Sequence, residues 1–337
     1  MAFLNDSLNG SFVTKSEDLE KFNGIINKFV IPSLMMIIGV PSNLLIITYF
    51  IRIHCRRLRK MSSYHLLLIN LAVADLLTCL GVAVMFYEWS KPSWGLGMFG
   101  CRIISPFSTL VSPMASCWLL VLLSYARYRD ITQPFAVKLT KMKYTFFCLL
   151  IWLLSSASGI FLYHFIRLIT LSDGTFICGM IFQGEEELYG RLFYIVIDSI
   201  IPITLMVNLY HGIRRSIKSN TPSSNDFPLS EASRQRNKTA LKTLRNLIAV
   251  YMITICPGRL YNLFHMLIWA VDEELVKNHW FSNLYFFFFA YHYLNNAINI
   301  FVYAKLMEDF RRFLLNCFTC GRLKQKPTLG ENCSTIT

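Results

Sequence analysis

Charge is scarce in this chain: Asp, Glu, Lys and Arg make up only 16% of its 337 residues, against 54% hydrophobic. That balance excludes an ordinary soluble domain. Other signals are missing too. The first 28 residues are polar and carry no cleavable signal pattern. The ten cysteines show no metal-ligand spacing, since Cys317-Phe318-Thr319-Cys320 has no second pair to complete a zinc site. No nucleophile, base and orienting group assemble into a triad, so an enzyme is not supported. The inverted repeats and midplane-broken helices of a transporter are absent as well.

What the chain does have is long apolar runs, seven of them: Phe29–Ile51, Leu66–Tyr87, Cys101–Asp130, Tyr144–Phe165, Leu192–Tyr210, Leu247–Ala270 and Phe281–Ala304. The third holds no charge from Ile103 to Ala126, a helix of about 36 Å, longer than the roughly 30 Å apolar core of a bilayer. None of the runs shows the polar stripe at helical period that a soluble helical protein needs. The expected fold is an all-α membrane protein, with a seven-transmembrane helix bundle over 29–304. A tail (1–28) precedes it, and a short amphipathic helix on the inner surface (305–320) and a second tail (321–337) follow. The short polar residues Ser105, Ser108, Thr109, Ser112 and Ser116 suit a third span surrounded by other helices.

The formal charge of +13 is distributed by loop. Alternate segments hold 12 acids against 8 bases, and the others 6 acids against 24 bases. Basic loops belong in the cytoplasm, so the N-terminus is expected outside and the C-terminus inside, with no nucleic-acid partner required. On that topology Asn5 and Asn9, each in an Asn-x-Ser sequon, are glycosylation candidates. Cys101 and Cys178 fall on outer segments and are expected to form one disulfide. A hairpin is expected around Thr175–Met180 and a linker over Ser216–Asn237. Cys79, Cys117, Cys148 and Cys256 read as small packing residues, and Cys317 and Cys320 as palmitoylation candidates beside the amphipathic helix.

Several motifs occur in order along these runs: Gly39…Asn43, Asn70-Leu71-Ala72-x-Ala74-Asp75, Trp94-Gly95 before Cys101, Arg127-Tyr128, Trp152, Pro202 with Tyr210, Pro257, and Asn299-x-x-x-Tyr303 with Phe310. Together they resemble the rhodopsin-like family of G-protein-coupled receptors, in character its neuropeptide receptors, over nearly the whole chain. The resemblance implies a sodium ion bound by Asp75, Ser116, Asn295 and Asn299, whose oxygens suit a hard cation; the bland alternative is a hydrogen-bonded structural acid. It also implies a G-protein switch of Arg127, Tyr128, Tyr210, Tyr303 and Phe135, aided by Arg214, Arg215, Lys238 and Lys242. Thr328, Ser334, Thr335 and Thr337 offer kinase and arrestin sites.

The chain departs from the family in five places. Ala126 stands where an acid should hold Arg127, and no acid opens the sixth helix, where Arg236, Asn237 and Lys238 stand. Ile255 replaces the tryptophan before Cys256-Pro257. Ile300 replaces the proline after Asn299. The distance from Cys101 to Arg127 is one residue longer than usual, which predicts a bulge near Pro106 or Pro113.

Tyr293 occupies the retinal-lysine position and Thr109 that of the amine-binding aspartate, so neither light nor an amine is the expected signal. The outer segments are acidic, with Glu88, Asp173, Glu185–Glu187 and Asp272–Glu274, and would steer a basic peptide. Asp198 and Arg259, each about one turn from a helix proline, are expected either to pair or to bind ligand groups. Thr109, Arg167, Tyr261, His265, His292 and Glu88 are candidates for the same cavity. The expectation is a receptor relaying a neuropeptide-like ligand to a heterotrimeric G protein across the lipid bilayer. A ligand-independent receptor and, less favoured, a transporter or channel are the alternatives.

Overall fold

The computed structural model describes residues 30–57, 63–133, 137, 139–163, 166–180, 185–219, 231–271, 284, 287–288 and 291–319. Helix α1 comprises Ile31–Leu34, a wide π-type turn at Met35–Gly39, and Val40–Arg57. Helix α2 is Ser63–Trp89. Helix α3 opens at Gly97–Phe99, passes π turns at Gly100–Ile104 and Phe107–Val111, and continues as Ser112–Thr132. Helix α4 (Lys141–Tyr163) leads to a hairpin of β1 (Ile166–Thr170) and β2 (Phe176–Met180). Helix α5 joins Glu185–Ile195, a π turn at Val196–Ile200 and Ile201–Ser219. Helix α6 is Glu231–Val271; α7 is a 3-10 turn, His292–Leu294, followed by Asn295–Leu306; α8 is Glu308–Phe318.

Among the described residues six helices are long and apolar enough to cross a membrane. The seventh run is described from 291 onward, with 284, 287 and 288 before it. Helix α3 is the axis of the bundle. In its most apolar stretch 72% is buried in the protein, against 22–56% for the other five. It packs on α2, α4, α5 and α6. Small side chains permit this: a Cβ on Gly81 of α2 would overlap the side chain of Ser108 on α3, so only a glycine lets the two backbones approach so closely.

The π turns follow one rule. Each ends two residues before a proline: Pro41, Pro106, Pro113 and Pro202. A proline has no N–H for the carbonyl four residues back and its ring crowds that carbonyl. The widened turn makes room, and the freed carbonyl must bond elsewhere inside a bilayer. Tyr293 donates to the carbonyl of Thr109 (3.1 Å) and Tyr251 to that of Asp198 (3.0 Å), the residues four before Pro113 and Pro202. The extra residue expected near Pro106 or Pro113 is accommodated this way, by two π turns.

The hairpin expected near Thr175–Met180 is present, with Leu168 opposite Cys178. Its turn has Gly174 at φ 81°, and Asp173 accepts from Thr175 Oγ1 (2.6 Å) and N (2.9 Å). Those bonds hold the Asp173 carboxyl below its usual range. The expected linker is shorter than Ser216–Asn237, because α5 runs to Ser219 and α6 begins at Glu231. Glu231, Ala232, Arg234, Gln235 and Arg236 are good helix formers and start α6 well before its apolar span. At the other end α8 has Glu308 and Asp309 in its first turn, where the helix dipole favours acids. It buries Phe310 against Tyr49 (ring centroids 4.9 Å) and Tyr303 (6.2 Å).

Candidate functional site

The functional groups lie in four layers along α3. At one end Cys101 is bonded to Cys178, tying α3 to β2. Met85, Trp94 and Ile166 pack round the disulfide. Trp94 N donates to Phe176 O (2.7 Å), and Phe176 N to Ser93 Oγ (3.0 Å), so the hairpin is pinned to the α2–α3 connection. Two expected pocket residues, Glu88 and Arg167, belong to this layer. Glu88 is buried and accepts from Gly95 N (2.8 Å) and Lys91 Nζ (2.5 Å). Its carboxylate organises the α2–α3 connection. Arg167 is exposed on β1, because strand alternation turns Ile166 and Leu168 toward the disulfide cluster and Arg167 away from it.

The second layer is built by the π turn of α5, which presents Asp198 to the bundle interior. Arg259 on α6 forms an ion pair with Asp198, both side chains nearly inaccessible. Arg259 Nη2 also donates to the Tyr194 hydroxyl (3.3 Å), and its Cζ lies 4.7 Å from that ring's centroid. Of the two roles open to these charges, pairing is the one in this structure. Below the pair, Tyr251 donates to Asp198 O, and Cys117 Sγ lies 3.3 Å from the same oxygen while also meeting the Tyr251 hydroxyl. Cys117 is therefore more than an apolar filler.

The other pocket candidates form a neighbouring aromatic layer. Tyr261 stacks on Phe288 (5.2 Å) with His265 beside it (6.4 Å). His292 is buried against Tyr293 (3.9 Å), whose hydroxyl reaches Thr109 O. Thr109's own hydroxyl donates back to Ser105 O (2.7 Å).

In the third layer Asp75 is fully buried. Ser116 Oγ donates to one carboxylate oxygen (2.6 Å) and Asn299 Nδ2 to the other (2.7 Å). Neither partner is charged. Ser112 Oγ is buried with no hydrogen-bond partner, and Asn295 Oδ1 accepts only a long bond from Thr254 (3.4 Å). The oxygens of Asp75, Ser112, Ser116 and Asn295, around a carboxylate that meets no cation among the described residues, fit a small hard cation such as sodium.

The fourth layer is the Arg127 end. Among the described residues no acid pairs with Arg127. Its Cζ sits 3.4 Å from the ring centroid of Tyr64 at the start of α2, and its Nε is buried without a hydrogen-bond partner. Ala126, where the family has its acid, is buried. Tyr128 packs on Gly212 of α5, where a Cβ would come within 2.6 Å of the ring. Tyr210 is half-buried beside His211 (5.7 Å), and Tyr303 is buried. Arg214, Arg215 and Lys242 are exposed, as is Cys317 on α8. Phe135, Asn5, Asn9 and Cys320 lie outside the described residues.

Tyr64, Cys117, Tyr194, Tyr251 and Tyr293 are the participants that sequence reasoning did not assign. Only Tyr194 left a local trace, one helical turn before Asp198.

A multi-pass helical membrane protein with a disulfide-tied hairpin, a buried ion pair and an arginine at the far end of its central helix has the build of a seven-helix receptor. The description "7 transmembrane receptor (rhodopsin family)" belongs to the family model that matches residues 42–303, and the chain belongs to that family. It is similar to the allatostatin-A receptor of Bombyx mori (23% identical, covering 90% of this chain and 83% of the relative). It is also similar to melanin-concentrating hormone receptor 2 of Homo sapiens (22%; 92% and 89%) and galanin receptor type 1 of Rattus norvegicus (25%; 88% and 84%). The family is one of receptors, not enzymes.

Proposed function

We propose that this chain is a plasma-membrane receptor, N-terminus outside, that transmits a peptide-like messenger to a heterotrimeric G protein. The observation that carries the proposal is the joining, on one buried helix, of the Cys101–Cys178 disulfide at one end and Arg127-Tyr128 at the other. The ligand enters from the disulfide end and meets Asp198, Arg259 and Tyr194. Relatives named for allatostatin-A, melanin-concentrating hormone and galanin support a messenger of that kind. At the opposite end Arg127, Arg214, Arg215 and Lys242 face the G protein, Phe135 and Lys238 serve as further contacts by family resemblance, and the C-terminal Ser and Thr residues serve arrestin. Asp75, Ser116, Asn295 and Asn299 hold a sodium ion that supports the resting state. Guanine-nucleotide exchange in membranes bearing the receptor, measured while a peptide library is applied, tests this reading. Exchange that stays at the level of mock membranes throughout, with normal surface expression, refutes it.

A second reading has its own observation. The missing acid at Ala126 favours substantial signalling without ligand, which exchange measured before any peptide is added would reveal.

A further inference from the structure

The Arg127 end holds one contact that neither the motif nor the missing acid explains. A guanidinium at the rim of an apolar bundle needs compensation, since a charge left without a partner is costly. Ala126 supplies none, and Nε of Arg127 is buried with no hydrogen-bond partner. The compensation present is the face of Tyr64, with Arg127 Cζ 3.4 Å from the ring centroid. A cation over an aromatic face is attracted by the ring quadrupole, and more strongly where water is excluded.

Tyr64 sits in the first turn of α2, so the stack directs Arg127 toward α2. Tyr210, the switch tyrosine of α5, lies on another neighbour of α3. A guanidinium stacked on Tyr64 is turned toward α2 and away from the role the family gives it beside Tyr210.

We propose that Tyr64 is a positioning residue for Arg127: its ring holds the guanidinium in the resting arrangement, in place of the absent acid, and releases it when the receptor activates. This rests on the G-protein reading above. The ring's attraction is the active feature. The hydroxyl is dispensable, and a non-aromatic side chain of similar size is not a substitute.

Full-length receptor in cell membranes tests this through basal guanine-nucleotide exchange per surface receptor. Tyr64→Leu is expected to raise it by roughly two- to tenfold, the range set by a cation–π contact. Tyr64→Phe, which keeps the ring, is expected to rescue the parent level. Combining Tyr64→Leu with Arg127→Ala is expected to abolish the rise, because the ring acts through the arginine. A second readout needs no G protein: spin labels at the Arg127 ends of α2 and α6 should show a longer distance in Tyr64→Leu. A lengthened distance with silent exchange would leave the restraint standing and refute G-protein coupling. An unchanged distance in well-expressed Tyr64→Leu, a Phe variant that behaves like Leu, or a rise in exchange that persists without Arg127 would overturn the proposal.

Discussion

The hydroxyl of Tyr251 on α6 donates to the main-chain oxygen of Asp198 on α5 at 3.0 Å. That oxygen is free because Pro202, four residues on, has no N–H to offer it. One tyrosine thus compensates a proline in the neighbouring helix, directly beneath the Asp198–Arg259 pair. Pro113 and Tyr293 repeat the arrangement between α3 and α7, through Thr109 O at 3.1 Å. In an apolar solvent a freed carbonyl is costly, so these tyrosines fix which helix faces meet.

The bond between Tyr251 and Asp198 yields a stability prediction. Tyr251→Phe keeps the ring and leaves a buried carbonyl with only the weak Cys117 thiol as partner. The expected loss is about 1–3 kcal/mol, seen as a Tm lowered by several degrees for purified receptor in detergent. Phe at the equally buried Tyr303, whose ring packs edge-on against Phe310, should cost less. Equal Tm values for Tyr251→Phe and the parent would show that the carbonyl is satisfied some other way.

The ion pair calls for a cycle rather than single substitutions. Asp198→Ala strands Arg259, and Arg259→Ala strands Asp198, each with an expected cost of about 3–5 kcal/mol because an uncompensated buried charge remains. The double variant removes both charges and should be more stable than either single one, while losing the ligand response. Thermal unfolding of all four proteins measures the coupling. Additive losses would mean that the two charges do not interact.

Much of this architecture was legible in the sequence because its causes are local. Uncharged runs gave the spans, loop charge and compartment gave Cys101 with Cys178, and the long Cys101–Arg127 interval gave the bulge. Asp198 and Arg259 stood out as opposite charges inside apolar runs. The contacts of Tyr64 and Tyr251 were not legible. Each joins two helices at a distance in sequence, without periodicity, and Tyr251 bonds a backbone atom whose availability depends on a proline elsewhere. The bond of Glu88 to Gly95 was not legible for a similar reason. Besides Lys91, Glu88 accepts from the N–H of Gly95, and a carboxylate recognised by backbone leaves no pattern in side chains.

Sodium offers a prediction that needs no ligand. Asp75 accepts only from Ser116 and Asn299, so its charge lacks a cationic partner among the described residues. Replacing choline by sodium at constant ionic strength is expected to lower basal exchange in the parent. Asp75→Asn, which keeps shape and removes charge, should flatten that response. A sodium response unchanged in Asp75→Asn would return Asp75 to the role of a hydrogen-bonded structural acid.

The last prediction restores what Ala126 lacks. A carboxylate at this buried position would lie beside the Arg127 guanidinium, whose Nε has no hydrogen-bond partner. A hydrogen bond between charged groups contributes about 1.5–3 kcal/mol, added to a cation–π contact that at this half-buried site lies between the roughly 0.5–1 kcal/mol of an exposed pair and the roughly 2 kcal/mol of a desolvated one. Ala126→Asp should therefore favour the resting state more strongly than Tyr64 does alone and lower basal exchange by about tenfold, since about 1.4 kcal/mol corresponds to that factor. It should also mask the ring: adding Tyr64→Leu to Ala126→Asp should raise exchange far less than in the parent, because the carboxylate then holds the arginine alone. Basal output that does not fall in Ala126→Asp, at equal surface expression, would mean that Arg127 needs no restraint in the resting receptor, and that this end of α3 works differently from its relatives.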